Sequence, residues 1–421
     1  MPDSAVLARS PTQRPALAAR VVVVGLGYVG LPIALAAAEA GFEVTGFDLD
    51  PRACHHALLA CRDRSRSENL AVQTAEPLPA ADVWLICVPT PLAAGRPDLR
   101  HVRAALGSIA RHLEPDALVC LVSTCQPGAT RDLCRPVLEA RGLRVGQDVF
   151  LAVSPERENP GDASFGLHRT PRLVGALEDT SRERALEFWR RLGVPAVPVA
   201  SAEIAECAKL LENSYRLVNI ALMGELHAAF AALGVPTAEV VAAAATKPFG
   251  FAPFWPGLGA GGHCIPVDPE YLQAEASRAG APSAVLAAAA AANRERPAVV
   301  TDRIRAAFGG ALAGRRILVA GVTYKPGVAD LRNAAALALI GLLRREGAAL
   351  AWCDPVLAED PPALADLPRL RDAAACAAWR PEALVLGAPH PAFDLARLRA
   401  LAPIAFDPFG RLPAGRGVVP V

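Results

Sequence analysis

Gly257, Gly259, Gly261 and Gly262 lead to one cysteine, Cys264, with Asp268 four residues on and Pro266 and Pro269 around the turn. Glycine lets a backbone take positive φ and approach a ligand closely, and proline fixes φ. The loop therefore holds one thiol in one place. A thiol held this way reads as a nucleophile, which needs a base and an electrophile from elsewhere in the chain. The other nine cysteines show neither a CxxC pair nor metal-ligand spacing. They read as reduced thiols in a cytosol and most often as small hydrophobes.

Only three of the 43 basic residues are lysine: Lys209, Lys247 and Lys325. Arginine serves wherever a surface cation suffices, so the positions kept as lysine point to a compact, deprotonatable amine. Lys209 and Asn213 are four apart and share one helix face. Ala205, Ala208, Leu210 and Leu211 surround them, a setting that keeps the amine away from bulk water.

The elements that position these residues begin at Arg20. Four valines follow it, then Gly25, Gly27 and Gly30 at GxGxxG spacing, a helical stretch over 31–40, and a strand over 43–48 ending on Asp48. Strand, glycine turn, helix and a distant acid make up the dinucleotide-binding pattern. The helix N-terminus holds a pyrophosphate. Asp48 bonds ribose hydroxyls and repels a 2′-phosphate, which favours NAD over NADP. Further strands over 81–88, 117–122 and 148–153 each run into a polar motif: Pro89-Thr90-Pro91, Ser123-Thr124 and Ser154-Pro155-Glu156-Arg157. That is the layout of a parallel sheet whose ligands lie at the carboxyl ends of its strands.

Strands over 172–175 and 196–199 close the first domain near residue 200, and residues 201–233 read as one long helix with an apolar back half over 217–230 suited to a partner. A second α/β unit starts at 315–321, opens into Thr323, Tyr324, Lys325, Pro326 and Gly327 with Asp330 and Arg332 beyond, and continues through strands over 350–354, 383–387 and 404–407. The fold class is α/β: two Rossmann-like doubly wound domains joined by a long central helix. A second sheet of this type points to a nucleotide-containing second ligand. At 421 residues, with 52% hydrophobic and 20% charged content, the chain has the size of a two- or three-domain globular protein. Its net charge of +1 gives no reason to expect nucleic acid or an anionic membrane as partner. Residues 1–19 lack the apolar core of a signal peptide and read as a flexible leader. The expected location is cytoplasmic.

Taken together, the ordered motifs resemble the UDP-glucose/GDP-mannose dehydrogenase family from about residue 20 to 407. The carriers are the 25–30 glycine turn, Val88-Pro89-Thr90-Pro91-Leu92, Ser123-Thr124, Ser154-Pro155-Glu156-Arg157, Lys209-Leu210-Leu211-Glu212-Asn213, Gly261-Gly262-His263-Cys264, and Tyr324-Lys325 with Asp330 and Arg332. Thr246-Lys247-Pro248-Phe249-Gly250-Phe251 is similar to bacterial members that oxidise UDP-N-acetylhexosamines. The resemblance implies a four-electron oxidation of a sugar C6 hydroxymethyl, using two NAD+ and a Cys264 thiohemiacetal and thioester. UDP-N-acetylglucosamine or UDP-N-acetylmannosamine is the expected substrate, with UDP-glucose and GDP-mannose as alternatives.

It further implies that Lys209 stabilises oxyanions, Asn213 bonds the reacting oxygen, Asp268 and Thr124 hold a water, and Glu156 serves as base or water partner. The base stays open among Glu156, Asp268 and Lys209. Cofactor contacts fall on Gly25, Gly27, Tyr28, Val29, Gly30, Asp48, Arg52, Pro89, Thr90, Thr124 and Arg332. Substrate contacts fall on Glu156, Arg157, Lys209, Asn213, Tyr215, Phe251, Gly259, Gly261 and Lys325. No metal is implied. Domains are expected at 20–200 (NAD-binding), 201–300 (central, dimerising, carrying the cysteine loop) and 301–421 (UDP-sugar-binding), in a homodimer or larger homo-oligomer whose product feeds polysaccharide synthesis.

This sequence departs from the family pattern at Leu258, Ala260, Cys125, Gly224, Asn333 and Pro326, and the 50–82 segment is shorter than usual. Two other readings compete. A single-step NAD dehydrogenase for a hydroxy acid would make Cys264 structural. A non-catalytic nucleotide-sugar binder would not need Lys209, Asn213 and Cys264 together.

Overall fold

The computed structural model describes residues 20–62, 67–159 and 163–421; the expected 1–19 leader lies outside them. The chain forms two compact units. Of the described residues, the first comprises 20–62, 67–90, 98–159 and 164–206, the second 91–97, 163 and 207–421.

The first unit opens with β1 (Arg20–Val24), α1 (Gly30–Glu39), β2 (Glu43–Phe47), α2 (Pro51–Cys61), β3 (Leu70–Gln73) and β4 (Val83–Ile86). A two-stranded ribbon of β5 (Leu92–Ala93) and β6 (Arg96–Pro97) clusters with the second unit. The chain returns with α3 (Arg100–His112), β7 (Leu118–Leu121), a π-helical turn (Thr130–Cys134) running into α4 (Arg135–Glu139), β8 (Phe150–Val153), β9 (Arg172–Ala176), α5 (Asp179–Arg191) and β10 (Ala196–Pro198). The eight strands lie in the order β10-β9-β8-β7-β4-β1-β2-β3. Every pairing is parallel except β8 with β9. The antiparallel pair departs from the expected parallel sheet, and β3 lay in a stretch with no recognisable strand pattern.

Buried all-apolar strands such as β4 and β7 need cover on both faces. One face is covered by α1, whose Ile33, Ala34 and Ala37 are fully buried, and by Phe188 and Trp189 of α5.

In the second unit come α6 (Ala202–Ala232, its first turn assigned to the first unit), α7 (Thr237–Ala244), α8 (Asp268–Arg278) and α9 (Ala284–Ala307). They precede β11 (Arg316–Ala320), α10 (Ala335–Arg345), β12 (Ala349–Cys353), α11 (Ala373–Trp379), β13 (Ala383–Leu386), α12 (Leu395–Arg399), β14 (Ile404–Asp407) and β15 (Val418–Pro420). The five strands are parallel, in the order β12-β11-β13-β14-β15, with an apolar cluster on each face. The long helix stands where the sequence put it. In its back half, Leu217 and Ala221 pack against Leu286, Ala289 and Ala290 of α9. Ser283 caps α9 by accepting the Leu286 N–H at 3.2 Å.

Two glycines make the strand-to-turn transitions possible. Gly25 has φ +97° and Gly321 φ +85°; an added Cβ would lie 2.5 Å from the Cys87 carbonyl oxygen and 2.4 Å from that of Ala388. Gly107, inside α3, has open space at the same position. Gly25→Ala and Gly321→Ala are each expected to cost at least about 1–3 kcal/mol. Gly107→Ala should add up to about 1 kcal/mol. Urea unfolding of the three variants checks the ordering, and an unperturbed Gly321→Ala midpoint would contradict it.

Candidate active site

The cysteine loop is built from backbone bonds outward. The Cys264 carbonyl accepts the Val267 N–H at 3.0 Å and the Asp268 N–H at 2.8 Å, one turn that feeds into α8. Asp268 is the first residue of α8 and is buried, with its acid at the favourable end of the helix dipole. The Asn213 Nδ2–H donates to Asp268 Oδ2 at 2.6 Å, both residues being about one-twentieth exposed or less. Lys209, one turn earlier on α6, is equally buried. Tyr271, fully buried one turn along α8, donates to the Pro91 carbonyl at 3.2 Å and fixes the helix's rotation. Cys264 itself is half-buried.

The glycines before it are braced from α9 and from the segment after β11. Asn293 accepts the Ala260 N–H at 2.6 Å and donates to the Ala260 carbonyl at 3.1 Å. Gly259, at φ +119°, would press a Cβ on Asn293. Arg296 donates to the Gly257 carbonyl at 3.0 Å; burial lowers the pKa of its guanidinium to about 10, with Arg303 adding to the effect. The Gly262 N–H meets the Arg332 carbonyl at 2.9 Å, and Asn333 Nδ2–H donates to the Gly262 carbonyl at 2.9 Å.

Three departures from the family pattern thereby acquire a physical reason. Asn333 takes φ +49°, a left-handed conformation asparagine tolerates. Leu258 fills the core of the second sheet. Gly224 leaves space beside the Arg296 side chain, 3.4 Å from where its Cβ would stand.

Of the expected substrate contacts in this unit, Gly261 would set a Cβ 2.8 Å from that of Tyr324, so only glycine fits. Lys325 is half-buried. Tyr215 is exposed, with its ring edge-on to Phe254 at 5.7 Å, and Phe251 is exposed nearby in sequence. The Arg332 guanidinium pairs with Asp330 at 2.6 Å. Burial lowers its pKa, but Asp330 outweighs this and the pKa is raised overall.

In the first unit, Gly30 begins α1 and Val29 is its cap. Asp48 Oδ2 accepts the Leu26 N–H at 2.8 Å and Oδ1 the Asp50 N–H at 2.9 Å, which aims the carboxylate along the strand ends. A Cβ on Gly27 would meet no protein atom, whereas one on Gly30 would collide with the Gly25 carbonyl. The turn is therefore tight inside and open outside, as a pyrophosphate cradle must be. Tyr28 is half-exposed beside it. Arg52 is turned to Asp50, at 2.9 Å. Pro89 and Thr90 follow β4, where Ser123 Oγ–H donates to the Val88 carbonyl at 2.7 Å. Thr124 and Glu156 follow the neighbouring strands β7 and β8. The Glu156 carboxylate accepts the Glu158 N–H, and Arg157 donates to the Pro171 carbonyl at 2.7 Å.

Sequence reasoning missed four supports. Arg172 lies buried beneath the 154–158 loop, donating to the Ser154 carbonyl at 3.1 Å and stacked on Trp189. Glu206 is buried and accepts from Gly128 N–H, Thr130 N–H and Thr130 Oγ–H, bracing the segment after Thr124. Burial raises its pKa, with those donors pulling the other way. Asn293 and Arg296 are the third and fourth, and polar residues interrupting an alanine run were the available signal. Among the described residues no cluster suited to a metal ion is present, and no helix is long and apolar enough to cross a membrane.

Residues 19–193 match the NAD binding domain of the UDP-glucose/GDP-mannose dehydrogenase family, residues 203–295 its central domain, and residues 318–410 its UDP binding domain. The protein CapL of Staphylococcus aureus is 36% identical over 78% of this chain and 80% of its own length. A UDP-N-acetyl-D-glucosamine 6-dehydrogenase of Pseudomonas aeruginosa is 35% identical over 81% and 84%. The solved structure of a UDP-N-acetyl-D-mannosamine dehydrogenase from Pyrococcus horikoshii superposes with a TM-score of 0.83 at 28% identity, covering 95% of this chain and 98% of that one.

Of the ten cysteines only Cys207 is exposed and Cys264 half-buried; the other eight are buried. Burial pushes the Cys120 and Cys134 thiols up to about 12. Limiting N-ethylmaleimide on the native protein should therefore label Cys207 and Cys264 alone, read by peptide mass spectrometry. Labelling of Cys120 or Cys134 before unfolding would contradict this arrangement.

Proposed function

The chain belongs to the UDP-glucose/GDP-mannose dehydrogenase family, and on that premise we propose that it oxidises C6 of a UDP-N-acetylhexosamine to the carboxylate. The substrate is UDP-N-acetylglucosamine or its 2-epimer, UDP-N-acetylmannosamine. The observation that carries the reading is the buried Lys209, Asn213 and Asp268 group at the helix that Cys264 leads into. The Thr246 to Phe251 sequence and the named activities of the relatives support the N-acetylhexosamine class.

Gly25, Gly27, Gly30 and Asp48 would hold NAD+, which when bound would supply the hydride acceptor, two equivalents being needed for a four-electron oxidation. The remaining chemistry falls to side chains. A base removes the C6 hydroxyl proton as the carbinol becomes an aldehyde; Glu156, Asp268 and Lys209 are its candidates. The Cys264 thiolate adds to the aldehyde carbon, giving a thiohemiacetal whose oxyanion is offered hydrogen bonds by Lys209 and Asn213. Loss of the second hydride leaves a thioester. Water, served by Thr124, Glu156 and Asp268, then breaks the C–S bond and returns thiol and carboxylate. Lys325 holds the UDP phosphates as a point charge, with Tyr215, Phe251 and the Gly259 and Gly261 backbone beside the sugar nucleotide.

At limiting UDP-N-acetylglucosamine and excess NAD+, two NADH per sugar are expected, with UDP-N-acetylmannosamine, UDP-glucose and GDP-mannose run in parallel. Cys264→Ser should slow turnover by at least about a hundredfold. One NADH per sugar, with Cys264→Ser unaffected, would leave a single-step dehydrogenase with a structural cysteine.

The homodimer also belongs to this reading. Leu211, Val218 and Leu222 recur at helical spacing on α6, with Leu211 and Leu222 exposed and Val218 half-buried. An apolar stripe of this kind is an association surface. Leu222→Glu is expected to shift the protein from dimer to monomer in sedimentation velocity. A wild-type monomer at working concentration would refute the assignment.

A further inference from the structure

The two units repeat one local arrangement and use it differently. After β1, the Gly25 N–H meets the Phe47 carbonyl at 2.8 Å, and Asp48 accepts the Leu26 and Asp50 N–H groups. After β11, the Gly321 N–H meets the Cys353 carbonyl at 2.8 Å, and Asp354 accepts the Val322 N–H at 2.7 Å and the Val356 N–H at 3.0 Å. The next strands correspond too: Cys87 N–H bonds the Val24 carbonyl and Gly387 N–H that of Ala320, both at 2.8 Å. Thr90 and His390 therefore stand at matching positions.

What the aspartate faces is the difference. Asp48 is partly exposed, whereas the Asp354 and His390 side chains are both fully buried. His390 Nε2 lies 3.1 Å from Asp354 Oδ2 and 3.2 Å from Thr323 Oγ. Its Nδ1 accepts the Gly327 N–H at 3.1 Å. An amide N–H only donates, so Nδ1 is the bare nitrogen and Nε2 carries the proton, aimed at Asp354 and Thr323. The Thr323 hydroxyl passes the chain on to the Lys325 carbonyl at 3.1 Å. Burial raises the Asp354 pKa, but the His390, Val322 and Val356 donors outweigh it and hold the carboxyl below the usual range.

One imidazole thus grips both ends of the 323–327 turn, with Lys325 at its centre. Where the first unit leaves an aspartate for a ribose hydroxyl, the second closes that place with a histidine. We infer that His390, oriented by Asp354, is a positioning residue for Lys325, setting the lysine against the phosphates of the UDP moiety. The inference rests on the reading of Lys325 as a phosphate ligand given above.

The test uses UDP as the probe, titrated calorimetrically into the full chain, with NAD+ titrated separately and melting temperatures recorded. Lys325→Ala and His390→Ala should each weaken UDP by about tenfold or more and leave NAD+ within about twofold. His390→Asn, whose Oδ1 can stand near the Nδ1 position and accept the Gly327 N–H, should recover part of the loss. If Lys325→Ala weakens UDP and His390→Ala does not, the positioning role is wrong while the Lys325 reading stands. If Lys325→Ala has no effect, that underlying reading fails. Loss of UDP and NAD+ together, without rescue by asparagine, would reduce His390 to a structural residue. Should the alanine variant not fold, the same UDP-against-NAD+ comparison on His390→Asn and His390→Gln decides.

Discussion

One hydrogen bond between buried side chains, Asn213 Nδ2–H to Asp268 Oδ2 at 2.6 Å, organises the second unit's chemistry. It joins the long helix α6 to the first residue of α8, and α8 begins on the turn that the Cys264 carbonyl closes. Depriving a buried polar group of its partner costs about 1–3 kcal/mol. Helix, turn and loop are thus energetically committed to one register. Lys209 gains its place from the same constraint, being one turn from Asn213 on a helix that can neither slide nor roll without breaking this bond.

The loop above that bond is held by its backbone, which is why glycine is required where it occurs. Gly261 and Gly262 would each drive a Cβ to within 3.0 Å of Tyr324. Asn293 pins Ala260 by both its donor and acceptor, and Asn333 supplies from a left-handed position the bond that Gly262 needs. These contacts come from α9 and from the segment after β11, all within the second unit. Cys264, half-buried, thus sits on a loop braced by backbone contacts and by side chains of other residues.

Much of this was legible in the sequence because chain order carried it. Valine runs, the 25–30 glycine turn and the strand-end motifs identified the two α/β sheets, and Lys209 with Asn213 lay on one helix face as their spacing required. What escaped depended on contacts far apart in the chain. Arg172 read as a strand residue, yet its guanidinium is the buried floor of the 154–158 loop. Glu206 and His390 carry no local pattern, and their partners lie 76 and 36 residues away. β3 and β15 are short edge strands without alternation, and the antiparallel turn of β9 follows from a crossover that no spacing encodes. Local propensity specifies elements; long-range hydrogen bonding specifies the site.

On the proposed route, Cys264 bonds covalently to the sugar carbon during turnover. Acid-quenched mass spectrometry of the Cys264 peptide, milliseconds after mixing with UDP-N-acetylglucosamine and NAD+, tests it directly. An added mass of the nucleotide-sugar acyl group is expected on Cys264, absent without NAD+. Steady turnover to the carboxylate with Cys264 unmodified at every quench time, and still alkylatable throughout, would contradict it.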